Sequence, residues 1–399
     1  MEQDRLAAGN EPEVRLLALC AGDPEAARTF SGSARSLFRA MERRGMLHGA
    51  PANVSGVSNI FSKGNAAIRL SRRLDRFGLW MRYRWSDMSF ARNTRRAHAV
   101  AAGRPGFNAC FLYGTTYNPQ VNAPKYCYFD ATVAQVAAAR EWDFGLLPER
   151  VIARVRAYQQ RVFDECACVF PRTQWAAQSC YEDYGLPPEK VCVAGAGSNH
   201  EARPLPHGPY DRQTILFIGT EFARKGGPLI VEAFRRVRQA LPQARLVIIG
   251  CRPPIDEPGV EAVGRIGKDE PGGIDRLLHY YSQASVFCIM SHFEPFGVVV
   301  VEAQNSYVPC VAPARFAFRE TIVDGETGCL VPEYDAAALA QTLTGLLRDP
   351  ARLEAMGRAA HDHARRNYTW DEAARRIDNR IREDLVRNEA ETIRRPTSR

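Results

Sequence analysis

Ala284-Ser285-Val286-Phe287-Cys288-Ile289-Met290-Ser291 leads through His292-Phe293 into Glu294-Pro295-Phe296-Gly297-Val298-Val299-Val300-Val301-Glu302. The first eight residues read as a buried strand with a polar exit. Proline and glycine then mark a short turn, and the valine run opens a helix near Gly297. The start of a helix presents unpaired backbone N–H groups and a positive dipole end, which suit a phosphate. Gly297 has no Cβ, so a ligand can come close to the backbone there. Glu302 falls a turn further into the helix, where its carboxylate can accept hydroxyl hydrogen bonds. A diphosphate flanked by two hydroxyl-rich groups, as in a nucleotide sugar, fits this order. The plain alternative is a βα junction with a solvated glutamate at each end.

Outward from this stretch, strands and helices alternate on both sides. Towards the C-terminus the pattern is strand 214–218, helix 228–240, strand 245–249, a short strand 260–263, helix 273–283, strand 286–290, helix from 297 and strand 308–312. Towards the N-terminus, strands are expected from Val14 to Cys20, Phe107 to Tyr113, Lys125 to Asp130, Cys166 to Phe170 and Lys190 to Ala194. Helices are expected from Ser31 to Arg44, Pro148 to Glu165 and Gln174 to Tyr184. Alternation of this kind predicts doubly wound α/β sheets. Ala202 to Asp211 holds three prolines and reads as a linker. The expected division is residues 1–205, residues 206–370 and a terminal helix with tail over 371–399.

A length of 399 residues suits two cores better than one. Hydrophobic residues at 45% and charged residues at 25% are ordinary for a globular chain, and no apolar run is long enough to span a bilayer. The start, Met1-Glu2-Gln3-Asp4-Arg5, lacks the basic and apolar regions of a signal peptide. The 11 cysteines are scattered, mostly in apolar runs, and Cys166 and Cys168 form the one close pair. That pattern predicts buried free thiols in a reducing cytosol rather than a zinc site. The net charge of +8 is concentrated: residues 34–104 hold 15 Lys/Arg against Glu42, Asp75 and Asp87. Within 70–96, arginines alternate with Phe77, Trp80, Tyr83 and Trp85. Such a run suits anionic lipid headgroups or nucleic acid, or is a solvated helix with its aromatics turned inward.

Phe217-Ile218-Gly219-Thr220-Glu221-Phe222-Ala223-Arg224-Lys225-Gly226-Gly227 sets two cations beside a diglycine at a helix start. Gly219 is read as a tight turn. Arg224 and Lys225 can take up the charge of a departing diphosphate, or form a solvated basic turn. No Asp-x-Asp occurs, so a diphosphate here is expected to be neutralised by cations and helix ends without a metal cofactor.

The Glu294–Glu302 stretch resembles the Glu-x7-Glu signature of the retaining nucleotide-sugar glycosyltransferases of family 4, also called glycosyl transferases group 1. The resemblance is good over 190–385 and weak before it. It implies a GT-B fold: two doubly wound Rossmann-like domains facing across a cleft, with the last helix crossing back to the first. It puts Glu294 against the donor sugar and Glu302 on the ribose hydroxyls. Phe296, Gly297 and Val298 then stand at the donor phosphates, with Arg224 and Lys225 as the basic pair, although Thr220 replaces the family's usual arginine. The loop with Arg265 and Ile266 is similar to the one that contacts the base, largely through backbone. Glu320 falls near the donor pocket, in a donor-side or structural role. In the first domain, Thr29 to Ser33 resembles a glycine loop that approaches the donor phosphates. Gly32 is its candidate residue, with a plain N-cap at Ser31 or Ser33 as the alternative. Many members carry a histidine after the third strand, where this chain has Phe129-Asp130. Asp130 is thus an acceptor-side candidate or a helix N-cap. His200 and His292 are cleft candidates without a role.

The expectation is a cytoplasmic retaining hexosyltransferase. It would use a nucleotide-diphosphate sugar and an acceptor hydroxyl on a sugar or lipid-linked molecule, in polysaccharide or glycolipid assembly. A peripheral contact to the inner membrane face through 70–96 is expected, and no nucleic acid. The alternatives are a sugar-nucleotide epimerase or hydrolase of the same fold, or a basic binding protein.

Overall fold

The computed structural model describes residues 12–27, 29–55, 83–142, 144–200, 207–332 and 335–394. The first eleven residues, Phe77, Trp80 and the rest of the arginine run up to residue 82, and residues 202–206 of the linker lie outside them. The chain forms two compact units. One comprises 1–172, 176–194 and 371–399, and the other 173–175 and 195–370.

The first unit holds a parallel sheet in the order β2-β1-β3-β4-β5. Its strands are β1 Leu16–Cys20, β2 Ala52–Asn53, β3 Ala109–Tyr113, β4 Lys125–Phe129 and β5 Cys168–Pro171. Apart from β2, every residue of these strands is buried, as a parallel sheet covered on both faces requires. Lys125 is the polar exception, and Glu165 at 2.6 Å and Asn118 at 2.6 Å take up its ammonium. The expected strand at 190–194 does not form. Only Val191 bridges to Val169, while the N–H groups of Cys192 and Ala194 donate to Val169 and Pro171. That segment therefore follows the sheet edge on one side without becoming a strand. The helix Trp370–Arg394 lays Ala373, Ala374, Ile377 and Ile381 onto this unit in a stripe of helical period.

The second unit has a six-stranded parallel sheet in the order β11-β10-β9-β6-β7-β8. Its strands are β6 Thr214–Ile218, β7 Arg245–Ile249, β8 Val260–Gly264, β9 Val286–Cys288, β10 Cys310–Pro313 and β11 Gly328–Val331. Counted within the unit, this is the Rossmann order. Side chains alternate along each strand, so one strand feeds two cores. Ile215, Phe217, Leu246 and Ile248 enter the core under the helices Gly227–Ala240 and Ala336–Leu347. Leu216, Val247 and Ile249 enter the opposite core, with Leu277, Tyr281, Val300 and Ala303. Burying a side chain of this size is worth about 1.5–3 kcal/mol. An apolar run of both parities, such as Thr214 to Ile218, can thus form an interior strand and not an edge.

Candidate active site

In the second unit β6 lies between β7 and β9, and the chain leaves these strands towards opposite sides. Ligands of open parallel sheets lie at such a switch point, beyond the carboxyl ends of the strands. The loop after β6 carries Arg224 and Lys225, and the loop after β9 carries Ser291 to Gly297. Two backbone bonds stitch these loops together: the N–H of Met290 donates to Lys225 at 3.1 Å and that of His292 to Arg224 at 2.9 Å. Gly226 permits the approach. It stands at φ +76°, and a Cβ there would lie 2.1 Å from the Met290 carbonyl oxygen. Gly219, read as a tight turn, does not have a positive φ. Its place is set by the Lys225 stem, whose Cγ would lie 3.1 Å from an added Cβ.

Both glutamates of the signature are buried, Glu294 at 8% exposure and Glu302 at 3%. The reading of two solvated carboxylates at a plain junction therefore fails. Burial of a carboxylate needs compensation. For Glu294 the ammonium of Lys225 and the hydroxyl of Ser291, at 3.2 Å, both donate to Oε2. For Glu302 the ammonium of Lys268 donates to Oε1. Burial pushes the Glu302 carboxyl up, but the positive charges of Lys268 and His200 and the N–H of Asn199 outweigh it and hold the group below its ordinary value. Arg224 is engaged as well: its Nε donates to Glu221 at 2.9 Å and its Nη1 to the Phe293 carbonyl at 3.1 Å. Glu221 is lowered, first by that hydrogen bond. The crevice thus carries its cations already matched to carboxylates.

The helix Val298–Asn305 is N-capped by Gly297 at φ +80°, with no side-chain cap. Helical bonding begins with Val300 N–H on the Gly297 carbonyl at 2.8 Å. The N–H groups before it are the ones such a helix start offers to an anion. An added Cβ on Gly297 meets nothing closer than 3.4 Å, so the backbone angle, not crowding, calls for glycine. Phe296 is buried edge-on to Tyr368, and Ile266 is a core side chain. Arg265 is exposed. The Glu320 carboxylate is taken by the N–H groups of Gln174 and Trp175, both at 2.7 Å. His292 is exposed and His200 buried.

Two candidates belong to the first unit. Gly32, at φ +87°, ends a turn in which Phe30 and Ser31 also have φ of +48° and +58°. The helix starts at Ser33, not Ser31, with Gly32 as N-cap and no side-chain cap, so neither serine plays that part. Left-handed non-glycine residues are costly, about 1–3 kcal/mol each, and cluster at functional loops. The loop follows β1, which lies between β2 and β3 at this sheet's own switch point. Asp130 follows β4. Thr132, with Gln135, forms the capping box of the helix Val133–Ala138, so Asp130 is not the N-cap. Its Oδ1 accepts the Ala131 N–H at 3.0 Å, and Oδ2 lies 3.9 Å from the buried guanidinium of Arg172.

Sequence reasoning missed Ser291, Lys268 and the Asn199 N–H. Lys268 comes just after Gly264-Arg265-Ile266-Gly267, on a third loop beyond the carboxyl ends of this sheet. A lone cation on such a loop was the available signal.

Two doubly wound units, the first closed by a C-terminal helix, define the GT-B class. The family model described as Glycosyl transferases group 1 matches residues 201–363. A D-inositol 3-phosphate glycosyltransferase of Corynebacterium aurimucosum is 27% identical over 56% of this chain and 58% of its own length. One of Xylanimonas cellulosilytica is 35% identical over 42% and 41%. A phosphatidyl-myo-inositol mannosyltransferase of Mycobacterium leprae is 29% identical over 56% and 60%. The chain thus matches no more than 60% of the length of these relatives. Among solved structures, sucrose-phosphate synthase from Thermosynechococcus elongatus shares the fold at a TM-score of 0.69 and 18% identity, over 93% of this chain and 99% of the other. WaaG, a glycosyltransferase involved in lipopolysaccharide biosynthesis, does so at 0.63 and 14%, over 91% and 98%. Over residues 201–363 the chain is thus similar to the glycosyl transferases group 1 family, and over its length it shares the GT-B fold.

Proposed function

We propose that the protein transfers a hexose from a nucleotide-diphosphate sugar to an acceptor hydroxyl, with retention at the anomeric carbon. The observation that carries this reading is Glu294, buried at the switch point of the second unit and bonded to Lys225 and Ser291. A carboxylate held in that way can orient sugar hydroxyls, while Lys225 and the helix start at Gly297 stabilise charge on the leaving diphosphate. The bond from the anomeric carbon to phosphate breaks as the acceptor oxygen joins on the same face. The acceptor proton passes to the departing phosphate oxygen. Glu302 fixes the ribose, Arg224 supports the phosphate loop, and Gly32 and Asp130 are the phosphate-side and acceptor-side residues of the first unit. No metal cofactor takes part.

The relatives' names include transferases for D-inositol 3-phosphate and for phosphatidyl-myo-inositol. They favour a polyol acceptor, free or lipid-linked, and so polysaccharide or glycolipid assembly. In the first unit Met88, Trp142 and Leu146 are large apolar side chains left exposed. Met88 lies within the arginine-rich 70–96 stretch, and an exposed apolar side chain among arginines supports contact with an anionic membrane. The test is a screen of UDP-, GDP- and ADP-sugars against polyol and lipid-linked acceptors, read by mass spectrometry with and without EDTA. Transfer from one donor, unchanged by EDTA and absent in Glu294→Gln, is expected. Donor turnover that ignores the acceptor would instead support the hydrolase or epimerase reading.

A further inference from the structure

Glu302 has almost no contact with solvent, yet it stands on a helix whose first turn opens at the switch point. Its partner Lys268 comes from the loop after β8. Between β8 and β9 lie two strands, β7 and β6, so the loop and the helix start from positions about 14 Å apart at the usual strand spacing. The Lys268–Glu302 pair joins them over that distance. The lysine side chain is 24% exposed, whereas the carboxylate is 4% exposed.

A carboxylate without its proton is an acceptor only and can take a hydrogen bond from each of two adjacent hydroxyls. A protonated carboxyl spends one oxygen as a donor and recognises a diol less well. The ammonium is on Oε1, which fixes the plane of the group, and the carboxylate also accepts from the N–H of Asn199. Removing the ammonium would leave a carboxylate buried without its nearest positive charge, a state that buried acids avoid by taking up a proton.

We propose that Lys268 is a specificity-determining residue of the second unit: it holds Glu302 as an acceptor-only group in a fixed orientation, and so selects ribonucleotides over 2′-deoxyribonucleotides. The inference rests on the donor-site reading above and adds to it a residue acting through Glu302, with no contact to the reacting atoms. Loss of one hydroxyl from a charged acceptor corresponds to a factor of about ten or more in affinity.

The experiment is calorimetric titration of the full chain with UDP, ADP and GDP and with the 2′-deoxy form of each. Wild type is expected to prefer at least one ribonucleotide about tenfold over its deoxy form. Lys268→Met should bring the two within about twofold, chiefly by weakening the ribonucleotide, and Lys268→Arg should restore the preference. A Lys268→Met/Glu302→Gln variant buries no charge and serves if the single variant does not fold. It too should lose the preference. Retention of the wild-type ratio in either methionine variant overturns the inference while leaving the donor site standing. Equal affinity of wild type for ribo and deoxy forms also overturns it. Absence of binding by any nucleoside diphosphate overturns the donor-site reading and the inference with it.

Discussion

The Lys225 ammonium donates to Glu294, and this changes what a charge-removing substitution should do. A diphosphate has to draw the ammonium away from a carboxylate that burial makes dependent on it. Glu294→Gln removes that competition. The variant should bind the nucleoside diphosphate several-fold more tightly than wild type and lose turnover by about 10²-fold or more. Titration and initial rates measured on one preparation check this. Weaker binding in the variant would show that Glu294 helps to hold the diphosphate and does not compete for Lys225. The Glu302 pair makes a separate prediction in pH. Its folded carboxyl lies below the ordinary 4.5. The unfolded chain therefore holds more protons in the acid range, and the pair's stabilisation is present above about pH 4.5 and lost as pH falls through the lowered folded value. In Lys268→Met the largest remaining influence is burial, which raises the carboxyl. The sign then reverses: the folded state holds the extra proton, and stability falls as pH rises above about 4.5. Melting temperatures from pH 4 to 8 should rise or stay level in wild type and fall in the variant.

At the scale of elements, the two signature loops behave as one stitched piece, and their glycines are not equivalent. Gly226 stands with its α-carbon against the Met290 carbonyl, whereas Gly297 has room for a methyl group. Alanine at Gly297 should cost about 1–2 kcal/mol, the ordinary left-handed penalty. Alanine at Gly226 adds a clash with backbone and should cost about 3 kcal/mol or more, with loss of nucleotide binding as the loops part. Urea unfolding of the two variants distinguishes the cases, and equal losses would contradict the crowding argument. This difference also marks the limit of what the sequence discloses. Strands such as Arg245–Ile249 were legible to the residue, because an apolar run bounded by turn signals has few other ways to be buried. The Glu294 loop was legible because proline, phenylalanine and glycine follow directly on such a strand. The reason for Gly226 was not, since Met290 is distant in the chain and only the adjacency of β6 and β9 brings it there. Lys268 was hidden for the same reason: its partner stands on a helix that follows a different strand. The 190–194 segment has strand-like composition, but only Val191 makes a bridge in the sheet, and composition does not report how many partners a strand finds.

At the scale of the molecule, the chain leaves its first unit at Ala194, builds the second, and returns to the first from Asp371 onwards. Among the described residues, two unlike ion pairs join the returning helix to the rest of that unit. Arg43 and Asp371 meet at 2.8 Å with both side chains more than half exposed, an arrangement worth about 0–1 kcal/mol. Asp378 is 4% exposed and is held by Arg44 at 3.0 Å and Arg382 at 2.9 Å. Charged hydrogen bonds of this kind are worth about 1.5–3 kcal/mol each, and the flanking Ile377 and Ile381 are wholly buried. Asp371→Ala should therefore leave unfolding almost unchanged, while Asp378→Ala should destabilise the first unit by about 2–4 kcal/mol. Removal of residues 371–399 strips Ile377 and Ile381 from that unit's core and should unfold it. Hydrogen exchange read by mass spectrometry resolves the outcome by segment. In the truncated chain, peptides from β1, β3 and β4 should lose protection, while those from β6, β7 and β9 keep it. Protection retained in β1, β3 and β4 would show that the first unit closes its core without the returning helix, and protection lost in both sheets would show that the two units fold as a single cooperative block.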